Sequence, residues 1–539
     1  MAVCGTKQHT GIVFLLSFFA AAAPCLPQSV DLPKENPSAE SKYNSLIVAH
    51  VGPLSISAEE FLLSYEFGPA FPKREKDSKE RYLNYMIDEK LLALEGYSHG
   101  LQTSSAVKQA LAELEGDFAT EELYKDDILS KVKVSNGDVE AGKKKDRIHL
   151  SVRWIFAPTK KEIQRQYNLI ANGVPSKAEF DSLFHAQLNN KVTIDDRSME
   201  TTLFSLEMKN SVFARAIDSL PMKSVSRPIQ GPDGWYLVEV NDAWTDPVVT
   251  QSDEMKMGYD IKGALVQHRA DSLSDLYVRN LMSPESPIIV RKTFDLVLAN
   301  LGKKLLPEKI YSQANFIDNV IAQRGPVDIS KIDQFVNESL VQLKHESFSL
   351  KSFIDWYHAR ETELKPDTKS PQHFFSWLES MVWRMVRDRL LMKRALKRGL
   401  QERPVVQRQM KWWEEKMVYN LVKNGISDSI PTNDTVLYAY YENNLRSFRT
   451  EKGEQETFNN AKDDVLREYY SSEMTKHILH RILKLKQEYK ITINSEVLDS
   501  LRVDSENDPR AIDMYAVKKG GTFPHPAFPS IDYDWSSWE

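Results

Sequence analysis

The side chains able to do chemistry are few and scattered. Glu473, His477 and His480 fall at i, i+4 and i+7, which sets three metal-ligating types on one side of a helix. An amphipathic helix with polar edges produces the same spacing and is the expected reading, so no metal and no cofactor is assigned. His149 is out of phase with Trp154 on an alternating stretch and is expected to face solvent. His525 stands between two prolines near the C-terminus. No GxGxxG, Walker A, GxSxG or HExxH run occurs. Asn337 and Asn433 open sequons. Residues 381–424 hold twelve Lys or Arg against four Asp or Glu, with Trp383, Trp412 and Trp413. The plain expectation there is a long amphipathic helix pair with a basic solvent face. The sharper one is a cradle for acidic or aromatic-rich polypeptide segments.

The two cysteines, Cys4 and Cys25, lie at the start of the chain. Lys7 and His9 lead into the apolar run Gly11 to Ala23. At about 13 residues that run is short for a membrane span and fits the apolar region of a signal peptide. Residues 1–25 are therefore expected to direct export to the periplasm. Pro24 is a poor residue before a lipidated cysteine, so a lipoprotein through Cys25 is not expected. Cleavage after Cys25 leaves a chain with no thiol, hence no disulfide and no cysteine nucleophile. Export also argues against a nucleic-acid partner, as does a formal charge of -6.

The 539 residues, 41% hydrophobic and 27% charged, describe a globular protein of several domains. Twenty-one glycines disfavour tight-turned all-β folds. No later apolar segment is long enough to span a bilayer, so no transmembrane segment is expected in the mature chain.

Stepping along the chain, 26–44 reads as a polar linker. Residues 45–145 open with a short strand, then Ser57 and Glu60 form a capping-box pattern before helices. Leu83, Met86, Ile87, Leu91 and Leu94 repeat at helical spacing up to Gly100. Residues 146–243 alternate first, with Ile148, Leu150, Val152 and Trp154 on one face. Helices near 160–172 and 176–188, a strand METTLFSL, a short helix at Phe213 and the strand Trp235 to Val240 complete an α/β module. Residues 244–335 read as a helical connector, 336–503 as a second helical region, and 504–539 as an extended or disordered tail. That tail holds four prolines and seven acidic residues against three basic ones.

An internal repeat links the two helical regions. Residues 48–65 resemble 340–357, with Phe61 over Phe353 and Tyr65 over Tyr357. Residues 88–111 resemble 387–410, with Gly100-Leu101 over Gly399-Leu400 and Val107 over Val406. Both copies predict strand, helix, long helix, Gly-Leu, long helix.

These features together resemble the exported parvulin foldases of the SurA/PrsA type. Gly173 and Phe180 stand in the helix pair, Phe213 and Ala216 in the short helix, Val225-Ser226-Arg227-Pro228 in the Val-Ser-x-Pro element, and Gly234 to Val240 in the closing strand. The resemblance implies an α+β fold, mainly helical duplicated chaperone regions with one parvulin-like α/β module. It places Trp154, Phe204, Met208, Phe213 and Tyr236 around a substrate-binding site for prolyl or aromatic segments. The family's two histidines fall on Trp154 and Tyr236, and its glycine turn falls on Arg197 to Thr201. Asp195 or Asp196 stands near the family's acidic position.

Prolyl isomerisation needs a grip on the ring and a preference for the twisted amide, against a barrier of about 18–20 kcal/mol. Replacing both imidazoles leaves no assigned catalytic residue. The expected function is an exported folding factor that binds unfolded or extended polypeptide clients, with a weakly active or inactive module. The alternatives are an active peptidyl-prolyl isomerase and a periplasmic scaffold with one fixed partner.

Overall fold

The computed structural model describes residues 45–74, 77–172, 176–189, 192–218, 220, 223–231, 233–245, 250–361, 364–450, 453–503 and 528–538. The expected signal peptide, the linker, Gly173 and Pro232 lie outside them. The protein has the expected α+β fold. Contacts divide the described residues into two compact units, one of residues 127–279 and one of residues 45–126 with 280–538. No described helix is long and apolar enough to cross a membrane.

The larger unit begins with strands β1 (Ile47–Val51) and β2 (Leu54–Ser57), a hairpin turned at Gly52 with φ of +56°. Ser57 then accepts the Glu60 amide at 3.1 Å and starts helix α1 (Ala58–Phe67). Helix α2 (Ser78–Ser98) ends at Gly100, whose φ of +72° requires glycine or a strained residue. Helix α3 (Ser105–Asp127) follows.

The smaller unit continues with helix α4 (Asn136–Asp146) and the central strand β3 (Ile148–Ala157). Helices α5 (Lys160–Asn172) and α6 (Ser176–Ala186) come next, then strand β4 (Ser198–Thr202). The expected strand METTLFSL stops there. Thr202 accepts the Ser205 amide and starts helix α7 (Leu203–Lys209), followed by α8 (Ser211–Ile217). Strand β5 (Ile229–Gln230) and the closing strand β6 (Trp235–Thr245) complete an antiparallel sheet in the order β4-β3-β6-β5. Helix α9 (Gln251–Met282) packs Ile261 and Leu265 against Phe204. The sheet buries one core on each face. Leu150, Val152, Val238 and Val240 lie under α7 and α8, while Ile155 and Leu237 lie under α5 and α6.

The larger unit resumes after α9. A short strand β7 (Ile288–Ile289) and helix α10 (Arg291–Leu305) precede the hairpin β8 (Ser339–Gln342) and β9 (Ser347–Ser349). Ser349 caps helix α11 (Leu350–His358), as Ser57 caps α1. Helix α12 (Pro371–Lys397) ends at Gly399, φ +70°, and helix α13 (Pro404–Ser429) follows. Helices α14 (Asp434–Asn443) and α15 (Phe458–Glu488), strand β10 (Ile491–Ile493) and helix α16 (Ser495–Ser500) close the run.

The duplication therefore shows in caps, hairpins and left-handed glycines alike. The two copies also exchange strands. β10, at the end of the second copy, pairs with β1, and β7, after the first copy, pairs with β8. The long helices cross in the same reciprocal way. Gly96 on α2 faces Val418 on α13, and Gly116 on α3 faces Met392 on α12. Lys90 reaches across to Glu415, and Arg389, its counterpart in the repeat, reaches Glu113 at 2.7 Å.

Two expectations need correction here. The basic stretch 381–424 is not simply a solvated face, because much of its charge meets the acidic side of the first copy. Arg398 and Arg403 pair with Asp126, and Lys416 pairs with Glu89 at 2.7 Å. The tail is not extended throughout. Residues 528–538 carry a 3-10 turn at Tyr533–Ser537, and Ile531, Trp535 and Trp538 are buried in the core formed by the first copy and α13–α15. Four aromatic rings (Phe528, Tyr533, Trp535, Trp538) outweigh the polar composition by which the tail reads as unfolded.

Candidate functional site

The closing strand positions the site. Tyr236 pairs with Phe156, and Trp154 pairs with Val238, so these four share one face of the sheet. α8 supplies Phe213 to the same face, its start fixed by Asn210, which accepts the Phe213 amide at 3.0 Å. The Phe213 and Tyr236 rings meet edge to face at 5.0 Å, and Phe156 lies 5.2 Å from Tyr236. The Arg197 guanidinium stands 5.4 Å over Phe156. Trp154, Phe213 and Tyr236 are half-buried against the core beneath α7 and α8. The structure thus brings together three of the five expected residues. It adds Phe156 and Arg197, which sequence reasoning missed. Phe156 was legible in principle, two residues beyond Trp154 on an alternating strand.

Phe204 and Met208 do not join them. They are one turn apart on α7 and face Val134, Val139 and Ile261. Leu203 and Leu206 take the sheet-facing side of that helix instead. The resemblance placed them at the patch, but residues 203–209 form a helix rather than the expected strand, and its 3.6-residue period turns Phe204 and Met208 away from the sheet.

Backbone geometry holds the patch in place. Gly234 sits so close to the neighbouring strand that a Cβ there would lie 2.5 Å from Phe156 Cε2 and 2.7 Å from the Ala157 carbonyl oxygen. Gln187 bonds both backbone groups of Phe156, accepting its amide at 3.0 Å and donating to its carbonyl at 2.7 Å. Ser226, in the Val-Ser-x-Pro element, accepts the Val238 amide at 2.9 Å. Phe180 is fully buried on the opposite face, where the Arg153 guanidinium lies 5.1 Å over its ring and pairs with the buried Glu239.

The acid–base groups at the patch are committed. The Tyr236 hydroxyl donates to Asp233, and burial, reinforced by that carboxylate, pushes its pKa well above the usual phenol range. It stays protonated and offers no base at neutral pH. Asp196 is fully exposed and accepts from the Thr193 amide and hydroxyl, which hold its carboxyl below the usual range. The patch can therefore hold an apolar or prolyl ring by contact, with Arg197 as a donor for a carbonyl oxygen.

The other candidates resolve structurally. On α15, Met474, Ile478 and Ile482 are buried, and His477 and His480 lie on the exposed side. Glu473 pairs with Lys476 at 2.7 Å. Among the described residues no group of three His, Cys, Asp or Glu side chains is arranged to hold a metal. The His149 ring stacks on Trp244 at 5.4 Å.

No family model and no curated protein matches the chain. Among solved structures, the chain is similar to the crystal structure of PrsA from Bacillus subtilis, at 14% identity and a TM-score of 0.15. The match covers 41% of this chain and 88% of that one.

Proposed function

We propose that the protein is an exported, periplasmic folding factor that holds unfolded or extended polypeptides, with a parvulin-like module that binds rather than isomerises. The observation that carries this reading is the Phe156–Tyr236–Phe213 cluster, in which aromatic rings stand together and no imidazole is present. Such a patch favours prolyl and aromatic side chains by burial and ring contact, worth about 0.5–1.5 kcal/mol per ring pair beyond area. Its phenol, Tyr236, stays protonated at neutral pH. The apolar run Gly11 to Ala23 supports export.

A second reading rests on Arg197. A guanidinium beside the ring patch is placed to stabilise the carbonyl oxygen of a twisted amide, and that chemistry needs no base. Xaa-Pro exchange, followed by NMR on the full chain with a proline-containing peptide, separates the two. The binding reading expects no acceleration, together with slower aggregation of a denatured client in light scattering. A robust exchange rate that Arg197→Ala abolishes promotes the isomerase. No effect in either assay overturns both.

A further inference from the structure

One guanidinium of the aromatic patch has no counter-charge among the described residues. In the smaller unit Arg147, Arg153 and Arg269 each pair with a carboxylate, and Arg215 bonds a carbonyl of its own helix. Arg165 and Arg227 are exposed to solvent. Arg197 is half-buried, and among the described residues its side chain makes no ion pair and no hydrogen bond. Its Nε–H is shielded from solvent without an acceptor, and its charge rests on the Phe156 ring, 5.4 Å away. Ring contact replaces only part of the water that such a group gives up.

The backbone fixes where this charge stands. The Arg197 amide donates to the Ile194 carbonyl at 2.9 Å, and the Arg197 carbonyl accepts the Trp154 amide at 2.9 Å. The acids nearby turn elsewhere. Asp196 accepts the Thr193 amide and hydroxyl, each at 2.8 Å, and Asp233 accepts from the Tyr236 hydroxyl. Next to the guanidinium the rings follow one another, with Phe156 at 5.2 Å from Tyr236 and Tyr236 at 5.0 Å from Phe213. In an extended chain, side chains two residues apart project from the same side, about 7 Å from each other. A ring seated against Phe156 and Tyr236 therefore brings the side chain two positions along within reach of Arg197.

We propose that Arg197 is the specificity-determining residue of this patch, and that the segment it selects is an extended polypeptide carrying Asp or Glu two positions from a prolyl or aromatic ring. The ring packs against Phe156, Tyr236 and Phe213, and the carboxylate accepts from the guanidinium. A charge-assisted bond of this kind is favoured at an arginine already stripped of part of its water. The inference rests on the reading of this patch as a polypeptide-holding surface, and it adds the charge of the segment held.

The probes are three fluorescein-labelled peptides, GSPSDSG, GSPSNSG and GSPSKSG, titrated by anisotropy into the full chain at low salt. Wild type is expected to bind the aspartate peptide at least about fivefold more tightly than the asparagine peptide, a difference of about 1 kcal/mol that shrinks as salt rises. Arg197→Gln is expected to bind those two equally, and Arg197→Glu to prefer the lysine peptide. Arg197→Lys should keep part of the aspartate preference, since the charge survives and the planar fork is lost. Weaker binding of all three peptides by Arg197→Gln with their ratios unchanged marks a merely structural role and overturns the proposal. Equal binding of the aspartate and asparagine peptides by wild type overturns it too, and leaves the polypeptide-holding reading in place. Binding of none of the three peptides overturns both.

Discussion

Arg360 and Asp117 form a buried ion pair between the two copies of the repeat, with one guanidinium nitrogen 3.0 Å from each carboxylate oxygen. Both side chains are almost fully buried, and Glu113 adds a contact to Arg360 at 3.2 Å. A buried pair of this kind fixes which surfaces meet more than it adds net stability, because desolvation offsets the attraction. Removing one partner is a different matter, since the other charge then stays buried.

Asp117→Ala should therefore destabilise the larger unit by about 3 kcal/mol. Urea unfolding followed by tryptophan fluorescence checks it, with a lower midpoint expected. An unchanged midpoint means that Glu113 and the Trp356 carbonyl oxygen suffice for Arg360.

Gly96→Ala tests the helix crossing. Alanine favours the helix by about 1 kcal/mol. Its Cβ would lie 2.3 Å from Val418 Cγ1, on a β-branched side chain that cannot swing away. Overpacking of this kind costs about 1–3 kcal/mol, so a net loss is expected. Thermal unfolding reads the sign.

Gly234→Ala tests the aromatic patch. The added methyl meets Phe156 and a backbone oxygen, and only the ring can yield. Phe156 should leave Tyr236, seen as a change in near-ultraviolet circular dichroism. Cross-linking of a denatured client to this face should fall by several-fold. Retained cross-linking places client binding elsewhere.

Glu338 tests the acid limb. Hydrogen bonds from Arg324, ahead of its charge, hold the Glu338 carboxyl below its ordinary value of 4.5, despite partial burial. A depressed carboxylate stabilises the fold above its unfolded pKa, and that contribution is lost as pH falls through the folded value. Wild type should lose stability from about pH 4.5 downward more steeply than Glu338→Gln. Denaturant midpoints at pH 7 and at pH 3.5 for both proteins provide the comparison, and parallel losses contradict the assignment.

Local rules made much of the fold legible from sequence. Helical spacing of Leu83, Met86 and Leu91, the serine caps and the two Gly-Leu pairs define elements through contacts a few residues apart. Alternation from Ile148 to Trp154 set the site's central strand, and the closing strand placed Tyr236. What sequence could not determine depends on segments from about fifty to several hundred residues apart. Phe204 and Met208 are apolar in any reading, and only the packing of α7 under α9 shows that they face a core rather than the patch. The pairing of β10 with β1 and of β7 with β8 leaves no local trace, because a two- or three-residue strand has too few side chains to carry a pattern. The tail shows the same limit. Its composition reads as unfolded, yet Trp535 is buried in the core and donates its indole N–H to Glu89, 446 positions earlier.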